Sequence, residues 1–405
     1  MKRIRLGAID VGTTKVCTIM ADSGGVSGLR ILGVGIMPAE GMHKGMVVDV
    51  NMAKNSIRQS VYQAERIAGY KLESATVGIT GRHITSTNKQ GAIAITRQDQ
   101  LVRPADLRRV LEVAQSVQIP SENKLLHVIP RTYKVDGQEG VNNPVGMHGF
   151  RLDVETHVIS AAITSIQNMT KCIRGVGVEV DDLVLEPLAS AQAVLTDEEK
   201  QDGVILADIG GGTTDIAVYK DNTAYHTAVL PVAGYQVTRD ISVGLGISFE
   251  MAEELKKKYG NVSPADDDER KADAKISQEG QTFTYGEISD IIRMRVEELI
   301  RLITLELPQN NPAKLVPAGL VLTGGGANLP GIAELAEKVT HLPVRIGVPF
   351  GLEGVSDSLQ NPAYATGVGL LLWQLGKGDR PTESLKEGGV KGFLSKLFRQ
   401  VAVAL

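Results

Sequence analysis

The chain opens on two short apolar runs, residues 4–9 and 16–21, separated by a Gly/Thr turn at 10–15. Runs this short, bounded by turn residues, predict strands. A third strand is expected at 29–37. From 51 to 69 the apolar positions Ala53, Ile57, Val61, Ala64 and Ala68 take up helical spacing, with Asn51 as the expected N-cap and Gly69 just past the end. A strand at 75–80 closes this unit. Residues 84–160 read differently, as a small α+β insert. Pro104 opens a helix with the stripe Leu107, Val110, Leu111, Ala114 and Val117. Strands follow at 125–129 and 131–135, then a Gly/Asn/Pro-rich loop at 137–149 and a strand at 156–162. The opening pattern then returns, with an apolar strand at 204–207, a Gly/Thr turn at 208–215 and a strand at 216–219. A helical section at 235–259, a charged loop at 265–275 and a helix at 286–307 follow. Strand 320–323 runs into three glycines and a helix at 330–339. A last helix covers 361–375. Beyond it lie a polar linker, 376–389, and one amphipathic segment, 390–405.

Composition narrows the class. A chain of 405 residues exceeds one ordinary core, so at least two domains are expected. With 42% hydrophobic and 22% charged residues it has the make-up of a folded protein. A net charge of −4 gives no footing for nucleic acid, whose phosphates need a basic surface. Cys17 and Cys172 are the two cysteines, each in an apolar run, which fits a reducing compartment and speaks against disulfides or a zinc site. The N-terminus enters a strand-like run without a signal-peptide core, and no stretch reaches the ~20 apolar residues of a membrane span. The seven histidines show no ligand spacing.

The chemistry concentrates in the two Gly/Thr turns. Asp10-Val11-Gly12-Thr13-Thr14-Lys15 follows one apolar strand, and Asp208-Ile209-Gly210-Gly211-Gly212-Thr213-Thr214-Asp215 follows another, 198 positions later. Glycines let the backbone approach a ligand, free N–H groups form an anion nest, and the hydroxyls add donors. Asp10 and Asp208, at the strand ends, can hold a magnesium ion through water. Lys15 supplies positive charge for terminal phosphate oxygens. Taken singly, each turn reads as an ordinary hairpin; two copies in the same order between apolar strands read as one shared device. Gly324-Gly325-Gly326-Ala327-Asn328, between a strand and a helix, offers a bare backbone for a purine and its α-phosphate. Glu253 and Lys256 share a helix face. Other nucleotide motifs fail: Gly7 and Gly12 have P-loop spacing, but Thr13 stands where the lysine must be, and the pairs Gly33/Gly35, Gly175/Gly177 and Gly244/Gly246 lack the third glycine of a dinucleotide fingerprint.

These residues together resemble the actin, Hsp70 and sugar-kinase superfamily. The resemblance implies an α/β fold of two actin-like lobes with ATP and Mg²⁺ in a central cleft. It makes Gly12 to Lys15, Gly210 to Asp215, Gly234, Glu253, Lys256, Gly324 to Gly326 and Asn328 cofactor contacts. It makes Asp10, Asp208 and Glu186, the last in the lobe-linking segment Glu186-Pro187-Leu188-Ala189-Ser190-Ala191, the catalytic candidates for at most slow, polymer-linked hydrolysis. Within the superfamily, Asn143-Pro144-Val145-Gly146-Met147-His148-Gly149-Phe150-Arg151-Leu152-Asp153 is similar to the insert motif of the FtsA family, with Asp153 where that family has glutamate. Residues 41–49 resemble its early motif. The expected division is 1–84 with 361–375, an FtsA-type insert at 85–162, 163–236 with 305–360, and 237–304. The family resemblance further implies filament formation, a membrane-tethering role for the partner FtsZ at the division site, and recruitment of other division proteins. Arg293 and Arg295 are the candidate FtsZ contacts.

The tail adds its own signal. On a helix, Phe393, Leu394, Leu397, Phe398, Val401 and Leu405 form one apolar face, bordered by Lys396 and Arg399. Sixteen residues cannot span a bilayer but can lie in its interface. Each base contributes only ~1 kcal/mol at an anionic surface, whereas each large apolar side chain contributes ~1.5–3 kcal/mol if fully buried. Burial therefore dominates, and the expected place is the cytoplasmic face of the cell membrane. The rival readings are a small-molecule kinase of the same superfamily, which has no use for such a tail, an Hsp70-type chaperone, for which no substrate domain is expected after Trp373, and a pilus-assembly actin homologue, which the tail and the insert motif both disfavour.

Overall fold

The computed structural model describes residues 4–23, 29–116, 119–263, 273–278, 280–307, 312–354 and 357–378. Val117, most of the charged loop and the tail segment 390–405 lie outside the described residues. The first lobe is a six-stranded sheet: β1 (Arg5–Val11), β2 (Lys15–Asp22) and β3 (Arg30–Pro38) form an antiparallel meander. A mini-hairpin, β4 (Met42–His43) and β5 (Met46–Val47), then leads into α1 (Val50–Ala68). The cap of α1 is Asp49 rather than Asn51: its carboxylate accepts from the amides of Asn51 and Met52, while Gly69 closes the helix at φ +78° as expected. β6 (Ser74–Ile79) adds in parallel to β1.

The insert follows as a separate four-stranded sheet carrying one helix, built of β7 (Ile84–Ala94), α2 (Pro104–Gln115), β8 (Asn123–Val135), β9 (Gln138–Val141) and β10 (Arg151–Ala162). The two strands expected at 125–129 and 131–135 are one. Pro130 does not end it, because the ladder to β10 slips register between Glu155 and Thr156 and absorbs the missing N–H in a bulge. Ile93, Leu107, Val110, Leu111, Val128 and Leu152 give the insert its own core.

The boundary expected at 163 moves. α3 (Ile163–Arg174) packs on α1, and β11 (Glu179–Leu185) pairs in parallel with β6, so both belong to the first lobe. The sequence hides this because the first four residues of β11, Glu179-Val180-Asp181-Asp182, are mostly polar and leave only the short apolar run Leu183-Val184-Leu185. α4 (Glu186–Val194) then crosses to the second lobe, followed by α5 (Asp197–Asp202).

The second lobe repeats the first. β12 (Val204–Ile209), β13 (Thr214–Lys220) and β14 (Thr223–Leu230) form an antiparallel meander, and β17 (Leu320–Thr323) and β18 (Val344–Ile346) add in parallel. The orders β3-β2-β1-β6-β11 and β14-β13-β12-β17-β18 coincide strand for strand. Between them the chain makes α6 (Gly234–Leu245), α7 (Phe249–Tyr259), β15 (Lys275–Gln278), β16 (Gln281–Thr284), α8 (Tyr285–Leu305) and the single turn α9 (Pro312–Leu315). The helical section expected to run from 235 to 259 breaks at Gly246, which ends α6 at φ +64°. After β17 come a 3₁₀ turn, Gly325–Asn328, then α10 (Ile332–Thr340) and β18. β19 (Glu353–Gly354) returns to pair with β3, so the chain re-enters the first lobe before residue 360. α11 (Ala365–Gly378) outruns its expected end at 375.

α4 and α11 cross between the lobes and share a core with both sheets, including Ile19, Leu188, Leu206, Val321 and Leu370. A Cβ on Gly369 would overlap the carbonyl of Ala189, so this crossing requires glycine. The insert, although it leaves from the first lobe, also rests on the second. Ser86 Oγ donates to the Thr227 carbonyl (2.7 Å), and the Arg131 guanidinium lies 3.8 Å from the Tyr225 ring centroid.

Candidate functional site

The two Gly/Thr turns share one geometry. In the first, the Gly12 amide donates to the Lys15 carbonyl; in the second, the Gly210 amide donates to the Thr213 carbonyl, each at 2.9 Å. Cross-strand partners match too, Asp10 with Cys17 and Asp208 with Asp215. The matching turn hydrogen bonds fix which residues are equivalent. Thr13 and Thr14 correspond in position to Gly211 and Gly212, not to Thr213 and Thr214. The Thr214 hydroxyl, fully buried, donates to the Val232 carbonyl (2.7 Å), and the Thr213 hydroxyl donates to Asp215 (3.0 Å).

The turns meet tip to tip. A Cβ on Gly211 would overlap the Thr14 side chain, and one on Gly212 would lie 2.5 Å from Thr13 Oγ1. The missing side chains are what allow the lobes to approach. Behind the tips, Asp10, Asp208, Asp215 and Glu186 are each under 10% exposed. Lys15 is the cation among them, 3.3 Å from Asp10 and 5.4 Å from the Tyr364 ring centroid. Burial works against its ammonium, but Asp10 and then Asp208 outweigh it and hold its pKa above the ordinary lysine value. Burial also drives the carboxyls up. Glu186 stands well above the ordinary range, through desolvation and then the charges of Asp10, Asp215 and Asp208. Asp215 is pushed up to about 7 by burial, against the pull of Thr80's hydrogen bond. Asp208 rises by burial although Ser190 (2.7 Å) and Thr366 (3.0 Å) both donate to its Oδ2.

The glycine loop closes the floor. Gly324, at φ +82°, abuts Asp208 so closely that a Cβ would overlap Oδ1, and a Cβ on Gly326 would overlap the Ile209 side chain. Gly325 alone opens into space, with only Ala363 within 4 Å of a built Cβ. Asn328 is engaged with Asn361 (3.0 Å). On the far side, Lys256 pairs with Glu253 (2.6 Å) and donates to the Gly234 carbonyl (3.2 Å), so the expected helix-face pair stands beside the second turn. The Gly234 amide itself is spent on the Gly210 carbonyl.

Sequence reasoning missed Thr80, Thr366 and Tyr364 as members of the site, and it placed Ser190 in the lobe-linking segment without giving it a role. Ser190 and Thr366 lie on otherwise apolar helix stretches, where a lone hydroxyl was the available signal.

Away from the cleft, α6 and α8 enclose a groove of about 410 Å³ lined by Asp240, Val243, Ile291, Met294 and Arg295 among others. Val243 and Met294 are largely exposed in it. Arg295 pairs there with Asp240 and Glu298, whereas Arg293 pairs with Asp290 and is not part of the lining. No helix among the described residues is long and apolar enough to cross a membrane.

Two duplicated lobes clasping paired Gly/Thr turns define an actin-like fold, and solved structures agree. The "PilM-PilN type IV pilus biogenesis complex" matches with a TM-score of 0.66 at 18% identity, over 92% of this chain and 99% of that one. MreB5 of Spiroplasma citri bound to ADP matches at 0.53 and 14%, over 90% and 94%. Sequence comparison narrows the class. The family model described as "Cell division protein FtsA" matches residues 205–369, and the SHS2 domain inserted in FtsA matches 81–160. The chain is 42% identical to the cell division protein FtsA of Pseudomonas aeruginosa over 91% of its own length and 89% of that protein's. It is 39% identical to that of Bacillus subtilis (90% and 82%) and 35% to that of Escherichia coli K12 (90% and 88%). It belongs to the FtsA family of actin-like cell-division proteins.

Proposed function

We propose that this protein binds Mg-ATP between its two Gly/Thr turns, assembles into filaments, and tethers FtsZ polymers to the cytoplasmic face of the cell membrane at the division site through its C-terminal amphipathic segment, where it recruits further division proteins. The observation that carries the nucleotide reading is the meeting of the turns over four buried carboxylates and one lysine. That is an excess of negative charge which a bound divalent cation would relieve. The donors are all hard oxygen, as Mg²⁺ prefers. In this reading Asp10 and Asp208 hold the ion through water.

Bound Mg²⁺ would supply the charge neutralisation that phosphate transfer to water requires. The chain's own part is to orient. Lys15 meets phosphate oxygens, the amides of the turns cradle them, and Ser190 and Thr366 fix the Asp208 carboxylate. Glu186, in the first turn of α4, is in this reading the group that accepts a proton from water once ionised, and the burial that disfavours its ionisation accords with slow turnover. The α6–α8 groove, with its exposed Val243 and Met294 and its Arg295 rim, is the surface we assign to FtsZ.

Calorimetric titration with Mg-ATP tests the cleft. The wild type should bind and Gly325→Asp, whose carboxylate enters the open side of the loop, should not, while keeping its fold. Absence of wild-type binding removes the nucleotide reading. Undiminished binding by the variant removes the loop from the site.

A further inference from the structure

Thr80 follows β6 in the first lobe, and its Oγ1 donates to Asp215 Oδ1 on β13 of the second. The other Asp215 oxygen accepts from Thr213 within its own lobe, so Thr80 supplies the donor from across the cleft. Both partners are 3% exposed. A hydroxyl–carboxylate bond screened from water is a strong one. Its two ends stand on different sheets, so it exists only while the lobes are together.

The side chain is also seated. Gly45, in the tight turn between β4 and β5, has φ +73°, and a Cβ there would lie 2.9 Å from Thr80 Cγ2. The Gly45 amide donates to Thr13 Oγ1 (3.1 Å) in the first Gly/Thr turn. His43 of the same mini-hairpin lies edge-on to Tyr235 of the second lobe, ring centroids 5.8 Å apart. On β6 itself, a Cβ on Gly78 would lie 3.1 Å from Glu186 Cγ. One strand end and one mini-hairpin thus touch both turns, both lobes and two of the buried carboxylates.

We propose that Thr80 is a positioning residue: its hydroxyl fixes the Asp215 carboxylate from the opposite lobe and latches the cleft shut, with the mini-hairpin Met42–Val47 holding its rotamer. The 41–49 motif thereby acquires a task that the cleft chemistry alone did not give it.

Thr80→Val is nearly isosteric, keeping the methyl against Gly45 and removing only the hydroxyl; Thr80→Ser keeps the hydroxyl. Spin labels on cysteines replacing Tyr62 and Leu305, both 63% exposed and one on each lobe, report the interlobe distance by pulsed electron resonance. The native cysteines are buried and do not interfere. In the nucleotide-free full-length protein, Thr80→Val should shift the distances longer and broaden them, and Thr80→Ser should restore the wild-type distribution. An unchanged distribution in Thr80→Val overturns the latch. If that variant fails to fold, Gly45→Ala, which pushes a methyl onto Thr80, must give the same shift. A second arm rests on the nucleotide reading: a fluorescent ATP analogue should leave Thr80→Val on the order of tenfold faster, as the loss of one buried hydrogen bond implies. No analogue binding by the wild type would sink the nucleotide reading, while the distance measurement would still decide the latch.

Discussion

Raising the pH through neutrality should weaken the nucleotide-free protein more than it weakens an Asp215→Asn variant. Asp215 is buried, and its pKa is pushed from the ordinary 3.8 up to about 7. Between those two values the folded state holds a proton that the unfolded chain has released. Stability therefore falls as pH rises through this window and levels off above it. From about pH 5 to about pH 7 the folded carboxyl keeps a proton that the unfolded chain has already lost, so roughly two pH units of this window remove stability on the order of 3 kcal/mol, complete by about pH 8. Asn keeps the shape and cannot ionise, so it escapes this loss. Thermal unfolding of both proteins at a series of pH values should show the wild type losing several degrees relative to the variant, with the gap widest at alkaline pH. Mg-ATP should narrow the gap by neutralising the cluster. Wild type and variant whose difference in stability stays constant across that range would refute the reasoning, since the cluster would then not hold excess charge.

Other expectations follow from single contacts. Glu186→Ala should slow phosphate release at equal polymer levels, and equal rates would take Glu186 out of the catalytic set. A chain ending at Gly376 should lose co-sedimentation with anionic liposomes that the full-length protein shows with and without ATP; retained binding would mean that another surface meets the membrane. Gly369→Ala drives a methyl into the Ala189 carbonyl where α11 crosses α4 and should cost about 1–3 kcal/mol or more. Unchanged unfolding temperature would contradict that close crossing.

Much of this architecture could be read from residues alone. Each Gly/Thr turn carries its own instructions: an apolar run sets a strand, glycines set the reversal, and Asp10 and Asp208 fall at the strand ends whatever surrounds them. The helix opened by Pro104, the end of α1 at Gly69 and the independence of the insert are equally local. The equivalence of the threonines was not, because Thr13 and Thr213 look alike in sequence and only the paired turn hydrogen bonds show that Gly211 is the residue matching Thr13. Nor was the lobe boundary, since β11 owes its place to the edge that β6 offers rather than to a strong pattern of its own. Thr80 stands 135 positions from Asp215, and Thr366 stands 158 from Asp208. Local propensity sets which segments become strands and turns. Which hydroxyl meets which carboxylate depends on how two sheets pack across α4 and α11, and a hydrogen bond, reaching only about 3 Å, is blind to sequence distance until that packing is complete.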